Sequence, residues 1–80
     1  MPFVYFIKSK VTKWVYVGST SNLPKRLKQH NLGEVRSTKH RAPYEVIYTE
    51  IFEDIKEARQ REKELKTNRS KKDDILKKLI

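Results

Sequence analysis

Tyr5, Tyr16, Arg26, His30 and Glu62 are the side chains whose types and positions could do chemistry together. Glu62 stands seven residues after Ile55 and four after Ala58, on the stripe that Ile55, Ala58 and Leu65 would turn inward from a helix. A carboxylate placed there is costly unless it is paired or holds a cation. Arg26 and His30 repeat the pattern, three and seven residues after Leu23 on a stripe marked by Leu23 and Leu27. Each has a plainer explanation: Glu62 paired with Arg26 or a tyrosine hydroxyl, Arg26 lying along the surface with its head in water, His30 at a frayed helix end. It is their coincidence on inward stripes that points to a shared site. A single carboxylate suits a Mg²⁺ ion that keeps most of its waters and also binds a substrate phosphate. An arginine suits the charge on a transferring phosphoryl group. The set is too poor in carboxylates for a two-metal nuclease. It lacks a nucleophilic serine or cysteine with a base, which argues against acyl transfer.

The elements that must position these groups begin with a hairpin. Phe3-Val4-Tyr5 and Tyr16-Val17-Gly18 lie on either side of Ser9-Lys10-Val11-Thr12, a four-residue loop between strands over 3–8 and 14–18. With Lys8 opposite Lys13, Tyr5 would face Tyr16 directly. Phe3, Tyr5, Ile7, Trp14 and Tyr16 would then share one face, and Val4, Phe6, Val15 and Val17 the other. After a polar loop, Leu23 opens a helix to about Asn31, with Pro24 in its first turn and Gly33 as a stop. Residues 34–43 form a basic loop. Tyr44–Phe52, rich in β-branched and aromatic residues, is a third strand. Asp54-Ile55-Lys56-Glu57 is a capping box for a helix to about Thr67, and Ser70-Lys71-Lys72-Asp73 is a second one for a short helix to Leu79. The order β-β-α-β-α-α predicts an α+β fold, a small three-stranded antiparallel sheet flanked by helices, with residues 1–80 as one domain.

Nineteen Lys and Arg against ten Asp and Glu give a net charge of +9, spread over several segments, which favours nucleic acid as the partner. The chain has no cysteine, so neither a disulfide frame nor a thiolate metal site is available. No stretch approaches the roughly 18 apolar residues of a membrane span. The first apolar run is too short for a signal peptide, so a cytoplasmic protein without a membrane partner is expected.

Taken in order, these stretches resemble the GIY-YIG nuclease superfamily, most nearly its small, stand-alone, single-domain bacterial members of excision-endonuclease type. Phe3-Val4-Tyr5 resembles the first half-motif, with phenylalanine for the usual glycine, and Tyr16-Val17-Gly18 the second. Lys25-Arg26-Leu27-Lys28-Gln29-His30-Asn31 is similar to the family's R-x-x-x-H helix, and residues 37–43 to the loop before its third strand. Glu57-Ala58-Arg59-Gln60-Arg61-Glu62-Lys63 is similar to the helix that carries its single glutamate. Some related enzymes have a lysine where this chain has Ser19, and an asparagine farther downstream than Asn68.

The resemblance implies a one-metal DNA endonuclease, structure-selective or weakly specific, in DNA repair or recombination. Mg²⁺ or Mn²⁺ would bind Glu62. Tyr16 would activate the attacking water, Arg26 would steady the scissile phosphate, and Tyr5 would orient water or phosphate. His30 would assist proton transfer or fix the Tyr16 hydroxyl, and whether Tyr16 or His30 is the base stays open. Arg36, Lys39, His40, Arg41, Arg59, Arg61 and Lys63 would supply DNA contacts, mainly to phosphates. A homodimer through an exposed sheet edge, or a protein partner that supplies the target, is compatible with so small a chain. The alternatives are a non-catalytic nucleic-acid-binding module on the same scaffold and a basic domain for protein or membrane surfaces.

Overall fold

Apolar side chains on both faces of Phe3–Ser9 suit it to the middle of a sheet, and that is its place. The computed structural model describes residues 1–79. β1 (Phe3–Ser9) is flanked by β2 (Val15–Thr20) and β3 (Tyr44–Ile51), both antiparallel to it. α1 (Leu23–Asn31) follows β2, and α2 (Ile55–Thr67) and α3 (Arg69–Lys78) follow β3, so the fold is α+β in the expected order. Alternation along β1 sends Val4 and Phe6 to one face, where they pack with Val17, Ala58 and Leu65 beneath α2 and α3. Tyr5 and Ile7 go to the other face, with Tyr44 and with Leu23 and Leu27 of α1. Each face of the sheet is thus sealed by helices, with α1 opposite α2 and α3.

The hairpin differs from expectation in register. Tyr5 lies opposite Gly18, Tyr16 opposite Ile7, and Lys8 opposite Val15. The cause is Ser9, which remains in β1. Its Oγ accepts from the N–H groups of Val11 (3.1 Å) and Thr12 (3.0 Å) and donates to the carbonyl of Arg41 (2.6 Å). Its own N–H donates to the Trp14 carbonyl at 3.0 Å. The connection between the strands is therefore residues 10–14, longer than the four-residue loop. The slip is by two residues, which returns each side chain to the same face. The tyrosines share a face as expected but sit diagonally.

β3 carries a bulge: Phe6 pairs with Tyr48 but Ile7 with Val46. Ile47 is the extra residue, so Ile47 and Tyr48 both turn toward α2 and α3 while Val46 and Tyr44 stay on the α1 side. The helix ends follow capping chemistry. Asn22 caps α1 and Asp54 caps α2 through the N–H groups of Lys25 and Glu57. The α3 boundary is a correction. Its cap is Asn68, whose side chain accepts from the Lys71 N–H, and Ser70 lies inside the helix. The Asn68 N–H also donates to the Glu64 carbonyl, so one residue closes α2 and opens α3.

Candidate active site

Gly18 makes room for the first phenol. A Cβ built on Gly18 would lie 2.6 Å from Cζ of Tyr5 and 3.0 Å from Cε2 of Tyr16. The Tyr5 ring therefore lies across its glycine partner, against the edge of Tyr16, and only the missing side chain permits it. Tyr5 is buried, whereas Tyr16 is half-buried beside the outer edge of the sheet.

His30 is fully buried rather than frayed. Its Nε2 is 2.8 Å from the Tyr5 hydroxyl, and its Nδ1 is 2.7 Å from the Thr38 hydroxyl. The Thr38 hydroxyl faces the Val35 carbonyl at 3.4 Å, and the Thr38 carbonyl accepts from Tyr44 Oη at 2.7 Å. A hydroxyl that donates to Val35 accepts from Nδ1–H, which leaves Nε2 to accept from Tyr5. Burial, with Arg26 adding to it, pushes the His30 pKa down to about 4. Burial likewise pushes the Tyr5 phenol up to about 12, with the neighbouring Arg26 guanidinium pulling the other way. Both rings are neutral near pH 7 and hold each other in place.

Arg26 is half-buried on α1, and its Nη1 donates to Gln29 Oε1 at 3.0 Å. With Lys25 and Arg59 it borders a groove of about 350 Å³ that Ser19, Thr20 and Asn22 also line. Glu62 reaches this region from the far side. Tyr5 belongs to the layer under α1, and α2 packs on the opposite face, so convergence on a single face is corrected to convergence around an edge. β2 is an edge strand, and α2 runs beside it. The Ser19 hydroxyl, on the α2 side of β2, donates to Oε1 of Glu62. Lys66 Nζ is 2.7 Å from Oε2 and 4.8 Å from the centre of the Tyr16 ring. The Glu62 side chain is 23% exposed, so it lies at the margin of the buried stripe rather than within it.

Among the described residues, no three His, Cys, Asp or Glu side chains gather into a metal-holding group. Glu62 with its hydroxyl neighbour fits a hydrated divalent cation that takes its remaining ligands from water and phosphate, and does not fit a caged one. The other charged candidates divide. Arg36, Lys39, His40 and Arg41 are exposed on the loop and 3₁₀ turn after α1, with Arg41 4.6 Å above the Trp14 ring. Arg59 and Lys63 are exposed on α2. Arg61 is engaged: Nε and Nη2 grip Glu50 at 2.9 and 3.1 Å, and Nη1 meets Glu64. Thr38 and Lys66 belong to the site's geometry without standing out in the sequence, and Ser19, which stands out only as a departure from the family's lysine, belongs to it as the partner of Glu62. Lys66, four residues after Glu62, was the one with a readable signal, an i,i+4 charge pair.

A model of the GIY-YIG catalytic domain matches residues 1–74. The UPF0213 protein YazA of Bacillus subtilis is 40% identical over 74 residues, 91% of this chain and 74% of that protein. The UPF0213 protein CPE1444 of Clostridium perfringens is 43% identical over 63 residues, 78% of this chain and 67% of that protein. The solution NMR structure of the UPF0213 protein BH0048 from Bacillus halodurans superposes with a TM-score of 0.58 at 30% identity, covering 96% of this chain and 84% of that one.

Proposed function

This chain belongs to the GIY-YIG catalytic-domain family, and from that membership we propose that it is a divalent-metal-dependent DNA endonuclease acting with one metal ion. The observation that carries the reading is the meeting of side chains from β1, β2, α1 and α2 around the β2 edge: two phenols, the Arg26 guanidinium and the Glu62 carboxylate. Arg26 would hold a non-bridging oxygen of the scissile phosphate. Tyr16 would take the proton from the attacking water, because both nitrogens of His30 are already occupied. Tyr5 donates to His30 and keeps its lone pairs to orient that water. A divalent ion on Glu62 would neutralise charge at the phosphate and favour ionisation of a neighbouring phenol. The His30–Thr38 pair is a positioning device in this scheme.

DNA would run over the groove of Lys25, Arg26 and Arg59 and along Lys63 and the Arg36–Arg41 loop, with Arg61 kept for Glu50. Phosphate contacts of this kind carry register and little sequence information, so cutting would follow DNA shape or a partner, as repair or recombination would need. The nicking of supercoiled and branched DNA with Mg²⁺ or Mn²⁺ tests this. Tyr16→Phe and Glu62→Ala should each lose about 100-fold or more, and Glu57→Ala, whose carboxylate is on the exposed first turn of α2, should not. Equal activity in all four preparations would mean a contaminant. The Lys66–Glu62 pair favours one second reading, a nucleic-acid-binding module without catalysis. DNA binding without nicking by the unaltered protein would establish it.

A further inference from the structure

Both oxygens of the Glu62 carboxylate are taken: the Ser19 hydroxyl donates to Oε1, and the Lys66 ammonium lies 2.7 Å from Oε2. A Glu–Lys pair one turn apart on a helix is ordinarily a solvated surface pair of little consequence. This pair differs in two respects. The acid is mostly covered, at 23% exposure, and the ammonium, on a side chain 42% exposed, also sits over the Tyr16 ring. One carboxylate can neutralise only one such neighbour, and an ammonium and a divalent ion repel each other at that spacing.

We propose that the Lys66 ammonium is the resident counter-ion of Glu62, that a divalent ion binds there only by displacing it, and that a DNA phosphate drives the exchange. This rests on the reading of Glu62 as the metal-binding acid. Charge along the β2 edge explains the need for DNA. Lys66 shares a groove with Arg69, Lys72, Trp14 and Tyr16. Once Glu62 passes to a metal, Lys66 is left among two other cations without a partner. A phosphodiester strand supplies the missing negative charge and further oxygen ligands for the metal. Metal and DNA therefore tighten each other's binding, and linkage makes the effect reciprocal. Metal binding by the free protein is weak by construction.

The test is a Mn²⁺ titration of the DNA-free protein, read by paramagnetic broadening of the Ser19 and Glu62 amide signals. Lys66→Met, which keeps the aliphatic stem, and Lys66→Gln as a second neutral variant should bind Mn²⁺ about fivefold more tightly than the unaltered chain. Lys66→Arg should stay near it, as should Lys56→Met, which removes an exposed charge from the same helix. In a Tyr16→Phe background, which prevents cutting, a short duplex should tighten Mn²⁺ binding in the Lys66 form and much less in the Lys66→Met form. Equal affinities with and without Lys66 would overturn the exchange alone, and so would an equal gain from Lys56→Met. Absence of broadening near Glu62 in every variant, with DNA present, would overturn the metal reading and the exchange with it.

Discussion

His30 shows how much a single buried ring can be asked to do. Its two nitrogens join Tyr5 to Thr38, and therefore β1 to the loop after α1. Its pKa is about 4 in the folded chain against the ordinary 6.5. Between those values the unfolded chain takes up a proton that the folded chain refuses, so folding stability rises with pH across that window. The contribution is complete above about pH 6.5 and drains away as the pH falls toward 4. Urea unfolding at pH 7 and pH 5 should show the unaltered protein losing about 2 kcal/mol that His30→Gln does not lose. An equal loss in both would assign the effect to other groups. The stripe position of His30 was legible because a helix repeats every 3.6 residues. Thr38 was not, because a loop has no period, and nothing in the order of residues reveals which hydroxyl will meet a ring eight positions away.

At the scale of elements, Arg61 ties α2 to β3. Its fork grips Glu50, which also accepts from Tyr48 Oη at 2.6 Å. This pairing, more than any other cause, holds the Glu50 carboxyl below the usual range. Arg61→Ala would leave a mostly covered carboxylate without its cation. It should cost roughly 1–3 kcal/mol in chemical denaturation. Arg59→Ala, on the same helix but exposed, should leave stability nearly unchanged and weaken DNA binding more. The reverse ranking would return Arg61 to the DNA surface. In the sequence the two arginines differ only in azimuth on α2, and which azimuth meets β3 depends on the bulge at Ile47 that turns Tyr48 toward α2. The hairpin register escaped for a similar reason. Both candidate pairings satisfy the alternation, and the choice between them lies in hydrogen bonds that Ser9 makes with the loop and with the distant Arg41 carbonyl.

For the molecule as a whole, the charge of +9 is not confined to a tail but lies on α1, the basic loop and both C-terminal helices. Binding that rests on about four phosphate contacts should weaken roughly a hundredfold as salt rises from about 50 to 200 mM. A binding constant unchanged over that range, measured by fluorescence anisotropy with a labelled duplex, would remove DNA from the account. Among the described residues no helix is long and apolar enough to cross a membrane.

Local chemistry alone determined a good deal here. Apolar alternation, capping residues and the two inward stripes dictate three strands, three helices, their order, and the anomalous polar residues at 26, 30 and 62. Those features depend on neighbours within one turn or one strand, and they are therefore written in sequence. Tertiary structure decided how the parts meet. α1 and α2 settle on opposite faces of the sheet, so Glu62 approaches the phenols around the β2 edge, with Lys66 and Ser19 already on its oxygens. Contacts of that kind join residues far apart in the chain, and only the packing of helices onto a sheet, a matter of shape rather than period, selects them.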